Sequence, residues 1–155
     1  MTGSVHISQH PVVATKLSQL REASQSSKAT RGLVHDLATL LSYEASVDLA
    51  LTHEKTLMSP YEPFQSSELK QRIALVPVLR SGLSLVDGFL AMFPEAPILH
   101  LGLYREKSKP GLAQLQKEHP EVQIYFAGVD ENLDGNGFIR PGLGDIGDRL
   151  MNTAF

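Results

Sequence analysis

The chain has 155 residues, 42% of them hydrophobic and 20% charged, with 14 Lys plus Arg against 17 Asp plus Glu for a formal charge of −3. This length suits one domain with a real core, and the lack of a basic excess argues against a nucleic-acid partner. The absence of cysteine removes disulfides, thiolate metal sites and a cysteine nucleophile. No apolar run reaches the length of a membrane span and residues 1–15 lack the layout of a signal peptide, so a cytoplasmic protein is expected.

Residues 1–10 are polar and read as a frayed tail, with His6 and His10 as tail residues rather than metal ligands. From Pro11 to about Ser24, Val13, Leu17 and Leu20 recur at helical spacing behind a proline suited to a first turn. A stronger helix is expected from Lys28 to Val47, where Leu33, Val34, Leu37, Ala38, Leu40, Leu41 and Ala45 form a broad apolar stripe. Such a stripe belongs to a core or a dimer interface, and His35 lies at its boundary. Pro60, Pro63 and Ser66-Ser67 interrupt any period over 48–70, which reads as a hairpin or arm.

The pattern then changes. Ile73 to Leu79 is a continuous apolar run, the pattern of a strand buried on both faces. It ends in Arg80-Ser81-Gly82 and passes into a helix carrying Leu83, Val86, Phe89, Leu90 and Phe93; a second buried strand, Ile98 to Tyr104, stops at Arg105. Strand, helix, strand predicts a parallel βαβ unit with a right-handed crossover. Ligands of open parallel sheets bind beyond the carboxyl ends of the strands. Arg80 and Arg105 stand at two such ends. Each arginine alone reads as a surface strand terminus, but two at equivalent ends, with backbone N–H groups at Ser81 and Gly82, favour a phosphate or pyrophosphate site.

A short helix (Gly111 to Glu118) and a strand (Val122 to Phe126) lead into the loop 130–149, which holds five glycines, a proline and four aspartates. That composition predicts neither helix nor regular strand, and its glycines allow a ligand close to the main chain. Asp130, Asn132, Asp134 and Gly135 match half of a calcium loop, but Pro141 stands where its bidentate glutamate belongs. Gly142-Leu143-Gly144-Asp145-Ile146-Gly147 spells a dinucleotide fingerprint without the flanking strand, helix and distant acid that motif needs.

Three stretches carry a family resemblance: Leu75-Val76-Pro77-Val78-Leu79-Arg80-Ser81-Gly82-Leu83, His100-Leu101-Gly102-Leu103-Tyr104-Arg105, and Gly137 through Arg149. With His10-Pro11, Lys16-Leu17, Leu20-Arg21 and Tyr43-Glu44-Ala45, they resemble uracil phosphoribosyltransferase. The resemblance implies an α/β fold of the type I phosphoribosyltransferase kind: a parallel sheet flanked by helices, with N-terminal helices and a C-terminal uracil-binding loop. It implies that uracil and 5-phosphoribosyl 1-diphosphate (PRPP) give UMP and pyrophosphate, with Mg²⁺ on the diphosphate, in a homo-oligomer without nucleic-acid or membrane partners; it also raises GTP binding. Arg80 and Arg105 would bind the PRPP diphosphate. The main chain at Ile139, Gly144, Asp145 and Ile146 would read uracil, and Asp145, facing PRPP as well, would be the catalytic residue. Arg140 stands where the family has an aliphatic residue and Val47 where it often has arginine.

One family element is missing. The family carries a PRPP loop, an apolar strand ending in an acid and turning through Gly/Thr/Ser into a helix, whose N–H groups cradle the 5′-phosphate. Here Lys109-Pro110 runs straight into Gly111-Leu112-Ala113, and about two strand–helix units of roughly 30 residues each are absent. The expectation is a single incomplete domain over 1–155 with its central strands deleted. Residues 1–47 would be the helical part, 48–70 the arm, 71–129 the sheet core and 130–155 the uracil loop and tail. Two functions are compatible: a uracil phosphoribosyltransferase of pyrimidine salvage, weak or inactive for want of that loop, or a non-catalytic regulatory chain that pairs with full-length subunits.

Overall fold

The computed structural model describes residues 4–102, 111–130 and 132–153. Two helices open the fold. Helix α1 (Pro11–Arg21) has proline in its first turn and is capped by His10, whose Nδ1 accepts a hydrogen bond from the Val12 N–H at 3.2 Å. Helix α2 (Ser27–Ala45) is capped by Ser26, whose Oγ accepts from the Ala29 N–H at 3.2 Å, a side-chain oxygen meeting one of the orphan donors of the first turn. Both lie within a few residues of their expected bounds. The buried positions of α2, Thr30, Val34, Leu37, Ala38 and Ser42, recur at three and four and make one face.

The core gathers where that face meets α1 and the C-terminal helix α5 (Ile146–Met151). Val13, Leu20, Val34, Leu37 and Leu150 form it, with Leu33, Leu40, Ala127, Leu143 and Ile146 packed around. Helix α2 therefore joins α1 on one side and α5 on the other in a single core.

The N-terminal tail is not frayed over its described part. Strand β1 (Val5–Ile7) pairs in parallel with a strand, numbered β8 below, over Ile124–Phe126. The His6 ring stacks on Tyr125 with centroids 4.5 Å apart. Extended backbone next to an open strand edge gains ladder hydrogen bonds whatever its side chains, and a three-residue strand offers no period to read.

Residues 48–70 form the expected arm, in two antiparallel storeys. Strands β2 (Leu51–Thr52) and β5 (Glu68–Leu69) pair at its base, and β3 (Thr56–Met58) and β4 (Pro63–Gln65) pair beyond them. At the tip, Ser59 Oγ accepts from the N–H groups of Tyr61 and Glu62 at 3.2 and 3.0 Å, and the Tyr61 side chain stands free at 96% exposure.

The predicted strand–helix–strand unit is present and parallel, but slight. Strands β6 (Val78–Leu79) and β7 (Leu101–Gly102) pair in parallel, continued by a bridge between Leu75 and Ile98. Between them lie a 3₁₀ turn (Ser81–Leu85) and helix α3 (Val86–Leu90), shorter than the helix expected to reach Phe93. Helix α3 packs on α2 through Gly88, where a Cβ would lie 2.5 Å from the Ala38 Cβ.

The expectation that both strands are buried on two faces is overturned. Val76 is 53% and Leu99 59% exposed, and Val78, Leu79 and Leu101 are also open. A continuous apolar run is buried only where further strands and helices cover it; among the described residues the pair has no third strand. The expected parallel sheet is likewise replaced, among the described residues, by five two-stranded pairs, giving a mixed α/β fold with parallel strand pairs and helices. Tyr104, Arg105 and the Lys109-Pro110 side of the junction lie outside the described residues.

Helix α4 (Gly111–Glu118) and strand β8 fall where expected. The glycine-rich loop does not. Strands β9 (Asn132–Leu133) and β10 (Ile139–Arg140) form an antiparallel hairpin within it, and α5 opens at Asp145. Glycines sit outside these short elements or at a helix start, so a high glycine count did not exclude them.

Candidate functional site

The carboxyl end of β6 and the loop after β10 meet at one place. Arg80 follows β6 directly, across a cis Leu79–Arg80 peptide. Its Nη2 lies 3.2 Å from Asp148 Oδ1 and 3.9 Å from Asp145 Oδ1, and a Cβ on Gly147 would come within 3.2 Å of it. Arg80 and Asp145, both expected to face PRPP, are thus neighbours. All three side chains are solvent-accessible, so the guanidinium can exchange these carboxylates for another anion at little cost.

Asp145 also caps α5: its Oδ1 accepts from the Asp148 N–H at 3.1 Å. Ile139 lies in β10 with its side chain exposed. From there the chain passes a cis Arg140–Pro141 peptide and turns through Gly142 (φ +68°) and Gly144 (φ +67°) into Ile146, the first residue of α5. Here glycine is required. The left-handed conformation penalises any Cβ, and a Cβ on Gly142 would sit 2.4 Å from the Ile139 carbonyl oxygen. Ile139, Gly144, Asp145 and Ile146 therefore share one continuous tight turn, in which residues Gly144 and Asp145 are exposed. Arg105, the other expected diphosphate ligand, lies outside the described residues.

Several residues that hold this turn carry no local signal. Asp130, just after β8, receives a two-pronged ion pair from Arg21 of α1, at 2.8 and 2.7 Å. Its Oδ2 also accepts from the Gly142 N–H at 3.2 Å. The Arg21 hydrogen bonds hold the Asp130 carboxyl below the usual carboxylate range despite opposing burial, and Asp130 raises Arg21 in turn. Arg149 donates to the carbonyls of Leu143 (2.8 Å) and Glu22 (2.9 Å). Asp134 accepts from the N–H groups of Asn136 and Phe138 at 3.0 and 2.9 Å and from Arg140 Nε at 2.9 Å. The Phe138 N–H first, then Arg140 and the Asn136 N–H, hold its carboxyl below the usual range. Asp130 and Asp134, half of a calcium loop by spacing, thus spend their oxygens on internal donors.

A cavity of about 420 Å³ opens between the α1–α2 turn and this loop, bounded by Arg21, Ser26, Gly142, Gly144 and Arg149. A larger one of about 780 Å³, lined by Ile73, Ala74, Met92, Phe93 and Pro97, lies at the amino ends of β6 and β7, away from the end where parallel strands take ligands. Among the described residues no group of three or more His, Asp or Glu side chains could hold a metal ion. No helix among them is long and apolar enough to cross a membrane.

An arginine at the end of a parallel strand, beside a glycine turn that opens a helix, belongs here to a mixed α/β fold with parallel strand pairs and helices. The family model described as uracil phosphoribosyltransferase matches the chain in two blocks, residues 7–110 and 107–153. The uracil phosphoribosyltransferase of Roseiflexus sp. (strain RS-1) is 34% identical over 206 aligned positions, covering 97% of this chain and 99% of the relative. That of Listeria innocua is 32% identical over 207, with the same coverage. The solved structure of the AQ2163 protein from Aquifex aeolicus superposes with a TM-score of 0.86 at 26% identity, covering 95% of this chain and 97% of that one. This chain belongs to the uracil phosphoribosyltransferase family, a family of glycosyltransferases. The 206 positions aligned with the Roseiflexus enzyme exceed the 155 residues of this chain by 51, so at least that many of its positions have no counterpart here.

Proposed function

We propose that the site is the uracil-recognition half of a uracil phosphoribosyltransferase of pyrimidine salvage, the reaction in which uracil and PRPP give UMP and pyrophosphate. The observation that carries this reading is the turn from Ile139 to Ile146, where the left-handed Gly144 is exposed next to Asp145, whose Oδ1 lies 3.9 Å from Arg80 Nη2. The adjacent donors and acceptors of a pyrimidine edge pair well with main-chain N–H and C=O groups at Ile139, Gly144, Asp145 and Ile146. Arg80, with Arg105, takes the diphosphate, leaving Asp148 and Asp145 to do so. Asp145 then faces the ribosyl centre, whose cationic character in transfer a carboxylate stabilises. Mg²⁺ arrives on the diphosphate and is part of the substrate.

The 5′-phosphate cradle is the part this chain lacks in our reading. Three observations support an internal deletion of central strands: the family match breaks into two blocks meeting at 107–110, at least 51 aligned positions of the Roseiflexus relative are unmatched, and the apolar strands β6 and β7 are uncovered. Without N–H groups to hold the 5′-phosphate, PRPP loses most of its positioning, and transfer slows by orders of magnitude. The same uncovered strands favour a second reading, a chain that associates with full-length subunits.

The test incubates the purified chain with labelled uracil and Mg²⁺-PRPP beside a full-length family enzyme, and titrates UMP into both. UMP binding with little or no turnover supports the incomplete-enzyme reading. Turnover equal to that of the full-length enzyme removes the missing-cradle claim, and failure to bind uracil or UMP removes the uracil-site claim.

A further inference from the structure

We infer that Arg21 and Asp130 are positioning residues for base recognition: together they set the turn 139–144 from outside the site. This rests on the uracil reading of that turn. The chain of contacts is continuous. Arg21, in the last turn of α1, grips both oxygens of Asp130 at 2.7 and 2.8 Å, and one of those oxygens holds the Gly142 N–H at 3.2 Å. The pair is largely buried, with side-chain exposures of 24% and 14%, so water competes weakly for it.

Its approach is prepared on both sides. Gly128, two residues before Asp130, lets the chain pass close under α1, since a Cβ there would lie 2.6 Å from Leu17 Cδ2. Gly142 is folded back onto the Ile139 carbonyl, so holding its N–H fixes the Pro141–Gly142 peptide, the point from which the chain turns toward Gly144 and Asp145. Arg149 adds a second lashing from the Leu143 carbonyl to the Glu22 carbonyl, at the same end of α1. The end of a core helix, acting through Asp130 and Arg149 at the two ends of the loop, therefore ties down the loop's main-chain groups.

Amide hydrogen exchange and calorimetric titration of UMP test this in the whole chain, comparing unmodified protein with Asp130→Asn, Arg21→Lys and Lys16→Gln. The last breaks an ion pair of α1 with Asp36 at 2.6 Å, away from the loop, and controls for a general loosening of the helix. Losing a charge-assisted hydrogen bond of this kind costs about tenfold or more. Asp130→Asn is therefore expected to speed Gly142 exchange and weaken UMP binding by about that factor. Arg21→Lys, which keeps the charge but loses the fork, should fall between, and Lys16→Gln should leave both readouts unchanged. Unaltered Gly142 exchange in Asp130→Asn overturns the inference, as does an equal effect from Lys16→Gln. If the unmodified chain binds no UMP, the uracil reading fails, and the hold on Gly142 is then decided by exchange alone.

Discussion

The molecule contains two halves of very different finish. Where α1, α2 and α5 meet, Val13 and Leu150 are each 1% exposed, and polar ties cross between distant segments: Arg31 Nη1 donates to the Leu150 carbonyl at 2.7 Å and Ser27 Oγ to Asn152 Oδ1 at 3.1 Å. In the β6–α3–β7 half, residues of the same hydrophobicity stand in the open. Apolar character alone therefore does not bury a residue. Burial requires a partner surface, and among the described residues the helical half finds one while the strand half does not.

The largest expected effect sharpens this contrast. Leu150→Ala should cost about 2–5 kcal/mol, because it empties a filled core site. Val78→Ala, which deletes half-exposed apolar atoms, should cost no more than about 0.5 kcal/mol. Urea unfolding of both variants measures the difference, and comparable losses would show that the strand half is as tightly built as the helical one.

Next comes the seam between the halves. A Cβ on Gly88 meets the His35 carbonyl at 2.7 Å and the Thr39 nitrogen at 2.9 Å, both backbone atoms of α2. Gly88→Ala should therefore force α3 away from α2 and cost about 1–3 kcal/mol. If the cost is near zero, α3 can shift freely and the seam carries no stability.

The ion pairs of the helical half predict a pH dependence. Asp130 and Asp36 are both held below their ordinary range, by Arg21 and Lys16 respectively. For a carboxylate with a depressed folded value, the stabilisation is fully present above the unfolded value, about 3.9, and is lost as pH falls through the folded value. Unfolding midpoints should thus be flat near neutrality and drop below about pH 4. Asp130→Asn should be less stable at neutral pH yet lose less on acidification. An acid slope unchanged by the substitution would assign it to other carboxylates.

The smallest effect on stability falls on the open face. Leu99→Lys replaces a side chain that is 59% exposed, so stability should change by no more than about 0.5 kcal/mol. Binding of a hydrophobic dye and aggregation should both decline, since exposed apolar patches drive them. A strongly destabilised variant would mean that the face is covered in solution, by another copy or by a partner.

The parts legible in the sequence were those with local causes. The spacing of Val13, Leu17 and Leu20, and of Val34, Leu37 and Ala38, gave the two N-terminal helices nearly to their ends. The prolines and serines of 48–70 marked an arm. The arginine at the end of an apolar strand and the run from Gly137 to Arg149 pointed to one family. The tail at Val5–Ile7 was misjudged because its strand is made by β8 rather than by its own residues. The burial of Ile73–Leu79 was misjudged because the run fits a covered sheet, whereas the described residues supply it with one neighbouring strand. The hairpin and α5 inside the glycine loop were missed because composition over 130–149 averages two short elements with the turns between them.

The sequence by itself determined the helices, the arm and the family, since these follow from periodicity and motif within short windows. Tertiary structure alone decided which apolar runs are buried, and that Arg80 meets Asp145 and Asp148. It also decided that Arg21, 109 residues before Asp130, anchors the turn at Gly142. Such pairings depend on two segments arriving at the same place, and no local pattern in either segment encodes where the other will be.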